Sequence, residues 1–430
     1  MKYFCIGIKG SGMSTLACLL ADLGHSVSGY DDNKEEKFTL KGLRKRNIKI
    51  YHELPKLDES YIITASKAIA SDHPIIKKIL AANLKIQAYN EIIGNITKDF
   101  KTIAVCGTHG KTTISYMLKD VLEKLGVNYF VGDGSAYGLK TNKYFILEAD
   151  EYNKHFLAYH KKIAIVSNIE ADHLECYKGG LKEIIASYNQ FIEDAEIVIA
   201  CFDDPNVRNL NFKNEVISYG LNHGDFQARN LIFNAEGAFF DLYHKNNLLQ
   251  KINLKLYGEH LILNALAAIA CALHFDLELS AIIDKLNNFK GANRRFKIYN
   301  LKNEIVIDDY AHHPTEISAT LSAIRAKYPS HKVSICFIPN TYSRMIDLYE
   351  EFITALNKAD QVFITDVYSD REKAIDYPNF KLNDFIGSIN NATYIDIKNL
   401  SKIKNDNDII AFMSCASIEN YVKDYIKNKA

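Results

Sequence analysis

Short apolar segments alternate with amphipathic segments along this chain. Tyr3–Ile6, Thr102–Cys106 and Ile163–Val166 have the length and composition of buried strands. The segment after the second of these has apolar residues at helical spacing, at Met117, Leu118, Val121, Leu122 and Leu125. Strands that alternate with helices usually pair in parallel, because a parallel connection must cross over the sheet. The pattern therefore predicts an α/β fold.

This alternation recurs in three segments, and a chain of 430 residues is too long for a single hydrophobic core. The predicted domains are residues 1–98, 99–296 and 297–430. We expect the first and third to be Rossmann-like. The middle one is predicted to be a P-loop ATPase-like α/β domain, with an antiparallel excursion between Val216 and Leu256.

A glycine-rich turn joins the strand Thr102–Cys106 to the amphipathic helix. In such a turn, main-chain N–H groups face phosphate oxygens, Lys111 brings a positive charge to the terminal phosphates, and the Thr112 hydroxyl is a ligand for Mg²⁺. The usual P-loop has a longer spacing than the two residues that separate Gly107 from Gly110. The sequence predicts a nucleotide-phosphate site formed by Gly107, Thr108, His109, Gly110, Lys111, Thr112 and Thr113.

The first strand also opens into glycines, in Gly7-Ile8-Lys9-Gly10-Ser11-Gly12, and Asp31 follows the second strand. In a dinucleotide-binding fold, such a loop places pyrophosphate at a helix N-terminus and the acidic residue at a ribose. Here the glycines are spaced Gly-x-x-Gly-x-Gly instead of Gly-x-Gly-x-x-Gly. The loop alone therefore fits both a nucleotide-diphosphate site and a plain tight turn.

Two candidate metal ligands follow strands of the middle segment. Glu148 ends the strand at Tyr144–Leu147, and His173 comes shortly after Ile163–Val166. The carboxyl ends of parallel strands meet at one edge of a sheet, where the phosphate loop also lies. Taken singly, a helix-capping Glu148 and a loop-bound His173 are the simpler interpretations. Their joint placement favours a divalent cation, and oxygen ligands shared with phosphates favour Mg²⁺.

A further polar cluster follows the strand Glu304–Ile307. Asp309 is suited to bind a ribose hydroxyl, and the side chains of Tyr310, His312 and His313 are suited to a small polar substrate. Arg294 and Arg295 come just before this segment. We expect one of them to bind a phosphate. The simpler alternatives are a solvated basic turn and a capped helix start, since proline favours the first helical turn.

Composition argues against several other classes of protein. Lys and Arg total 52, as do Asp and Glu, so no net charge attracts the chain to nucleic acid or to an anionic membrane. The eight cysteines form no Cys-x-x-Cys pair and fall mostly in apolar segments, as expected in a reducing compartment. No apolar run is long enough for a transmembrane helix. We expect a cytoplasmic protein without a nucleic-acid partner or membrane insertion.

With these motifs in this order, the chain resembles the Mur ligase family of ATP-dependent amide-bond-forming enzymes over essentially its whole length. Besides the phosphate loop, the resemblance rests on Gly7 to Ser14, Glu148-Ala149-Asp150-Glu151, Asn168 to His173, Gly258-Glu259-His260 with Asn264-Ala265, Arg294-Arg295-Phe296 and Asp308 to Glu316. The Gly-Met-Ser opening and the run from Asp308 to Glu316 point to the branch that adds L-alanine. The resemblance implies an N-terminal UDP-sugar-binding domain, a central ATP-binding domain and a C-terminal ligase domain.

The resemblance also implies a reaction. ATP would phosphorylate the carboxylate of UDP-N-acetylmuramate, and L-alanine would attack the resulting acyl phosphate, in peptidoglycan precursor synthesis. The implied cofactors are ATP and Mg²⁺, and the expected state is a monomer or a weak dimer. A ligase of the same family that recycles a preformed peptide is the alternative.

Residue roles carry over by motif position. The implied catalytic residues are Lys111, His173, Arg295, His312 and Arg344. The ATP site would combine the phosphate loop with Asn264 at adenine, Asp309 at the ribose and Arg295 at the phosphates, while Thr112, Glu148 and His173 would hold metal. The amino-acid pocket would comprise Tyr310, His312 and Arg344, and the UDP-sugar site Gly10, Ser11, Gly12, Met13, Asp31 and Ser66.

Some positions depart from the family pattern. Asn340 stands where histidine is frequent, Leu261 where asparagine is frequent, and Ser414–Ser417 where a glycine-rich turn is usual. Sister ligases carry a carbamylated lysine beyond the metal histidine, whereas this chain has Tyr188 nearby, so we predict none. The departures leave open an ATP-binding regulatory protein that lacks catalysis. A nicotinamide-dependent dehydrogenase would explain the first glycine loop and leave the phosphate loop unexplained.

Overall fold

A computed structural model describes residues 1–37, 39–66, 69–234, 236–291, 294–369, 372–405, 407–416 and 418–429. Strands and helices alternate along these residues as predicted. The five strands whose bounds were predicted, at Tyr3–Ile6, Thr102–Cys106, Tyr144–Leu147, Ile163–Val166 and Glu304–Ile307, are present with bounds within two residues of those. The helices and strands form three sheets with their covering helices. No helix in these ranges is both long and apolar enough to cross a bilayer.

The first sheet is parallel throughout. Its strands are β1 (Lys2–Ile6), β2 (Ser26–Tyr30), β3 (Lys49–Tyr51), β4 (Tyr61–Ala65) and β5 (Ile86–Gln87), and the helices of this region are α1 (Ser11–Asp22), α2 (Leu40–Lys45), α3 (Pro74–Ala81) and α4 (Tyr89–Lys98). The strand order is β3-β2-β1-β4-β5. Ile6 is in register with Tyr30 and Ala65, so the carboxyl-terminal ends of these three strands lie side by side.

The second sheet is the largest. Its strands are β6 (Lys101–Cys106), β7 (Val127–Val131), β8 (Ser135–Tyr137), β9 (Tyr144–Glu148), β10 (Ile163–Val166), β11 (Ile197–Cys201), β12 (Glu215–Gly220), β13 (Phe226–Asn234), β14 (Gly237–His244) and β15 (Asn247–Leu254). Their order is β15-β14-β13-β12-β11-β10-β6-β9-β7-β8, and β8 pairs antiparallel with β7 in a hairpin that the sequence analysis missed. The helices of this region are α5 (Lys111–Val121), α6 (Leu181–Ile192), α7 (Pro205–Arg208), α8 (Glu259–His274) and α9 (Leu279–Asn287).

The third sheet is parallel except for its first strand. Its strands are β16 (Lys297–Asn300), β17 (Ile305–Asp309), β18 (Val333–Phe337), β19 (Gln361–Ile364), β20 (Ala392–Tyr394) and β21 (Ile409–Met413), in the order β16-β17-β21-β18-β19-β20. β16 pairs antiparallel with β17. The helices of this region are α10 (Pro314–Lys327), α11 (Tyr342–Asp347), α12 (Tyr349–Leu356), α13 (Leu382–Gly387) and α14 (Glu419–Lys429).

The chain forms two compact units. The first consists of Met1–Arg229, Asp241–Lys251 and Leu263–Phe289, and the second of Asn230–Phe240, Ile252–Ile262 and Lys290–Ala430. In the first unit, helices of the first sheet share a buried core with the second sheet, since Leu16 and Ile93 belong to the same apolar cluster as Phe145 and Phe156. The domain boundaries at residues 98 and 296 remain predictions.

Arg46 links the first two sheets within this unit. Its guanidinium donates to both carboxylate oxygens of Asp22 in α1, at 2.7 and 2.6 Å, and to the main-chain oxygen of Ala136 in β8, at 3.0 Å. Asp22 also accepts a hydrogen bond from the Gly138 N–H. The bidentate pair is largely buried. If one of the two side chains is removed, water therefore solvates the charge of the other only poorly.

Replacing Arg46 by alanine is expected to lower the free energy of unfolding by roughly 2 kcal/mol, because Asp22 would keep a poorly solvated, unpaired charge. Urea denaturation followed by circular dichroism measures the change. Arg44→Ala is the matched control, since the Arg44–Glu36 pair is exposed and its removal should cause no measurable change. Equal destabilisation by the two variants would contradict the role given to Arg46.

Candidate active site

The phosphate loop connects β6 to α5 and requires glycine at two positions. Gly107 and Gly110 have φ of 135° and 88°, which are left-handed values that disfavour other residues. A Cβ atom on Gly107 would lie 2.0 Å from Ser167 Oγ, and one on Gly110 would lie 2.6 Å from Asn264 Oδ1. Both the backbone conformation and the close approach of neighbours therefore exclude a side chain. Asn264, implied at adenine, lies against this loop.

Residues that follow β10 fix the loop. The main-chain oxygen of Asn168 accepts from the Thr108 N–H at 2.9 Å, and its side-chain Oδ1 accepts from the His109 N–H at 2.7 Å. Ser167 Oγ donates to the His109 main-chain oxygen at 2.6 Å. The Thr108 and His109 N–H groups are thus bonded within the protein. An anion at this loop is expected at the first turn of α5, whose N–H groups have no acceptor within the helix.

Lys111 is a largely buried cation in this loop, with 14% of its side chain exposed. Its Nζ donates to the main-chain oxygens of Gly107 and Thr108, at 2.6 and 3.2 Å, and to Glu151 Oε1 at 3.0 Å. Burial disfavours the ammonium, but the neighbouring carboxylates, Glu151 first and Asp150 next, outweigh it and raise the pKa of Lys111 above its ordinary value. Lys111 is therefore charged at neutral pH.

Thr112 and Glu148, two of the three predicted metal ligands, are in contact. Thr112 Oγ1 donates to Glu148 Oε1 at 2.8 Å, and Glu148 Oε2 accepts from the Gly132 N–H at 2.8 Å. A hydroxyl and a carboxylate at this distance supply the oxygen donors that Mg²⁺ prefers. These two residues therefore fit the ion that the sequence implied.

His173 is placed differently. It lies on the loop after β10 with a left-handed φ of 56°. Its ring packs edge-on against Tyr152, with 5.1 Å between the ring centroids, and lies 3.7 Å from the carboxylates of Asp172 and Glu175. The neighbouring His173 imidazole lowers the pKa of Glu175. These contacts orient the imidazole, and its role as a metal ligand remains a prediction.

The first glycine loop follows β1, as predicted, at the carboxyl-terminal ends of the strands of the first sheet. Gly10 precedes α1 as its N-cap residue, and a Cβ atom on Gly7 would lie 3.0 Å from the Ser66 Cβ. The buried Asp31 carboxylate accepts from the main-chain N–H groups of Lys9 and Asn33, at 2.8 and 3.1 Å. Asp31 therefore holds this loop together, and its contact with a ribose remains a prediction.

Ser11 and Met13, two further residues of the implied UDP-sugar site, have different environments. Ser11 Oγ donates to the main-chain oxygen of Gly132 at 3.0 Å, and it thereby joins the first glycine loop to the residue that also bonds Glu148. The Met13 side chain is buried in the apolar core of the first unit. Gly12 accepts a hydrogen bond from the Tyr89 hydroxyl at 3.2 Å, so it also lies against α4.

In the second unit, Arg295, Tyr310 and His312 meet around Glu316, a residue that sequence reasoning did not assign. Glu316 lies 3.4 Å from Arg295 Nη1 and 3.0 Å from His312 Nδ1, and Arg295 lies 4.6 Å from the centre of the Tyr310 ring. Glu316 is the third residue of α10 after the N-cap His313. Glutamate at that position is a capping signal, which could have identified it.

Asp309 ends β17 beside this group. Its two carboxylate oxygens accept from the N–H groups of Phe296 and Ala311, each at 2.8 Å. Burial raises the pKa of Asp309 to about 6, against the opposing attraction of Arg295. Both carboxylate oxygens of Asp309 are therefore hydrogen-bonded to the main chain near it. Its contact with a ribose remains a prediction.

Arg294 has a structural role instead of facing a phosphate. Its buried guanidinium donates to Asp308 Oδ1 at 3.1 Å and to the main-chain oxygens of Ala416 and Ser414, at 2.5 and 2.9 Å. Ser414 Oγ in turn accepts from the Ala416 N–H, so side-chain bonds stabilise the turn where the family has glycines. Ser417 lies outside the described residues.

The remaining departures lie in the second unit. Asn340 Nδ2 donates to the main-chain oxygen of Tyr368 at 3.0 Å. Leu261 lies in the first turn of α8, and Arg344 lies in α11. Nothing in these contacts assigns Arg344 to an amino-acid pocket, so that role remains a prediction.

Family models match almost the whole chain. They are the Mur ligase family, catalytic domain over residues 2–101, the Mur ligase middle domain over 105–272, and the Mur ligase, glutamate ligase domain over 294–413. A curated UDP-N-acetylmuramate–L-alanine ligase from Lacticaseibacillus paracasei is 38% identical over 428 residues, or 98% of this chain and 97% of that protein. The chain belongs to the Mur ligase family.

Solved structures of Mur ligases share the fold. The UDP-N-acetylmuramate–alanine ligase of Thermotoga maritima superposes with a TM-score of 0.83 at 25% identity, covering 99% of this chain and 98% of that one. The murein peptide ligase of Psychrobacter arcticus gives 0.74 at 22% identity, covering 100% and 98%. The predicted three-domain α/β Mur ligase fold is thereby confirmed.

Replacing Gly110 by alanine is expected to weaken ADP binding by about tenfold or more, because the added Cβ meets Asn264 and the left-handed backbone is strained. Calorimetric titration with ADP and Mg²⁺ measures the effect. Gly387→Ala is the control, since a Cβ there meets no atom within 4 Å, and it should bind like the wild type. Unchanged affinity in Gly110→Ala would show that the glycine is not needed.

Asp309 is expected to make stability depend on pH. Because its folded pKa of about 6 lies above the unfolded value of about 3.9, its contribution is complete below about pH 3.9 and is lost as pH rises through about 6, by about 3 kcal/mol at most. Urea unfolding across this range should show the loss in the wild type and in Asp376→Asn, an exposed control. The same loss in Asp309→Asn would contradict the assignment.

Proposed function

We propose that this chain is an ATP-dependent ligase that joins L-alanine to the carboxylate of UDP-N-acetylmuramate in cytoplasmic peptidoglycan precursor synthesis. The likeness to a ligase of that name, 38% identity over 98% of this chain, carries the proposal. The largely buried cation Lys111 and the adjoining oxygens of Thr112 and Glu148 support it, because they suit a nucleoside triphosphate with Mg²⁺.

The chemistry requires a carboxylate to attack a polyanion. One muramate oxygen bonds to the γ-phosphorus of ATP while the bond to ADP breaks, and this gives an acyl phosphate. The alanine amine then attacks the acyl carbon, and phosphate leaves with that oxygen as the amide forms. Lys111, together with the N–H groups at the start of α5, would offset the repulsion in the first step. Mg²⁺ held by Thr112 and Glu148, with His173, would add neutralising charge when bound.

The remaining assignments belong to the proposal and follow the family motifs. Asn264 would bind adenine, Asp309 the ribose and Arg295 the phosphates. Tyr310, His312 and Arg344 would form the amino-acid pocket, with Glu316 holding the His312 imidazole at 3.0 Å. Gly10–Met13, Asp31 and Ser66 would contact the UDP-sugar at the carboxyl-terminal ends of the strands of the first sheet. A monomer or weak dimer is expected.

Phosphate release from ATP should require both UDP-N-acetylmuramate and L-alanine. In the same assay, Lys111→Ala should lose turnover by a factor of about a hundred or more. It should still bind the UDP-sugar, because the contacts of Lys111 are with the phosphate loop and not with the first glycine loop. Lys119→Ala is a control, since Lys119 lies on the same helix α5 outside the loop. Comparable turnover by Lys111→Ala and the wild type would refute its role.

The amino-acid arm of this assay separates the candidate functions. L-alanine, glycine, L-serine and a preformed muropeptide are offered in turn with UDP-N-acetylmuramate. Preference for the preformed peptide would favour the recycling activity, whose fold this chain shares. Release of phosphate with no acceptor at all would contradict a ligase.

A further inference from the structure

The phosphate loop adjoins a buried carboxylate to which the proposed reaction assigns no role. Glu151, three residues beyond the end of β9, is only 5% exposed. Its Oε1 and Oε2 lie 3.0 and 2.8 Å from Lys111 Nζ. The Tyr177 hydroxyl donates to the main-chain oxygen of Glu151 at 2.5 Å, so the backbone that carries the carboxylate is also held.

The acceptors around Lys111 account for all of its hydrogens. A lysine ammonium has three N–H groups, and Gly107 O, Thr108 O and Glu151 Oε1 provide three acceptors. A phosphate oxygen can bond to Lys111 only by displacing one of them. The two main-chain oxygens belong to the loop itself, whereas Glu151 is an anion that a phosphate would repel. Glu151 is therefore the acceptor that a phosphate would displace.

We propose that Glu151 is a placeholder for the terminal phosphates and competes with the nucleotide for the Lys111 ammonium. It keeps Lys111 oriented in the loop, and it lowers nucleotide affinity by the free energy needed to separate the pair. When ADP and phosphate leave, the carboxylate takes their place beside the ammonium, which favours product release. The inference rests on the proposed function, because it assumes that Lys111 binds phosphate.

Glu151→Gln tests the competition. The amide keeps the shape of the side chain and removes its charge, so the Kd for ADP with Mg²⁺ should fall about tenfold, since an ion pair with Lys111 no longer has to be separated. The readout is calorimetric titration, with the melting temperature measured in parallel. A residue with only a structural role would lower the melting temperature and leave the Kd unchanged or raised, and that result would overturn the proposal.

Asp194→Asn is the matched control. Asp194 Oδ1 lies 2.5 Å from Nζ of Lys161, another buried lysine of the first unit. Lys161 precedes β10, at the opposite end of the strands from the phosphate loop. Loss of this pair should leave the Kd for ADP unchanged. A tenfold gain in this control as well would show that the effect is not specific to the loop, and would also overturn the proposal.

Two further variants keep the test decisive. Glu151→Asp retains the charge but shortens its reach, so its Kd should lie between those of the wild type and Glu151→Gln. If Glu151→Gln fails to fold, a Kd in Glu151→Asp at or above the wild-type value overturns the inference. Lys111→Met should lose ADP binding. If Lys111→Met binds ADP as tightly as the wild type, the proposed function fails. If Lys111→Met binds ADP weakly but Glu151→Gln gains no affinity for ADP, only the placeholder role of Glu151 is refuted.

Discussion

The parallel pairing of β6, β9 and β10 is the constraint on which the candidate site depends. Val105 is in register with Glu148 on one side and with Ile165 on the other. As a result, the loops that follow these strands start at one edge of the sheet. The phosphate loop, the Glu148 carboxylate and the Asn168 contacts are brought together by this register, although about sixty residues of chain separate the first from the last.

Burial gives this edge its chemical character. Charges interact more strongly away from water, so a largely buried Lys111 surrounded by carboxylates stays protonated. The same burial raises the pKa of Glu151, even though Lys111 opposes the shift. The ammonium itself is held in place before a phosphate arrives and needs little reorientation to stabilise charge in the reaction, although Glu151 has to move aside first. The loop is therefore prepared for an anion by its own neighbours.

Much of this could be predicted from sequence because the signals are local. Glycine spacing, a strand before the loop and a helix after it predicted the phosphate loop, and strand-end reasoning placed Glu148 beside Thr112. Asn168 and Glu151 were not assigned, since their contacts with the loop depend on strand order and side-chain direction. The hairpin of β8 was missed because a strand of three residues has too little periodicity to detect.

Adjacent residues show the limit most clearly. Arg294 and Arg295 are chemically identical, yet Arg294 is buried against Asp308 while Arg295 lies beside Tyr310 and Glu316. The backbone of Arg294 is left-handed, with φ of 53°. Arginine rarely adopts this conformation, so the sequence does not predict it or the directions that it gives to the Arg294 and Arg295 side chains. Tertiary contacts therefore decide which arginine is fixed against Asp308 and which lies beside Tyr310 and Glu316.

Oxygen transfer tests the central claim most directly. UDP-N-acetylmuramate with ¹⁸O in its carboxylate is incubated with the protein, ATP, Mg²⁺ and L-alanine, and the released phosphate is examined by mass spectrometry. We expect one ¹⁸O atom in each phosphate, because the muramate oxygen attacks phosphorus and leaves with it. Phosphate without ¹⁸O, formed together with the amide, would contradict the acyl-phosphate route that this site is proposed to support.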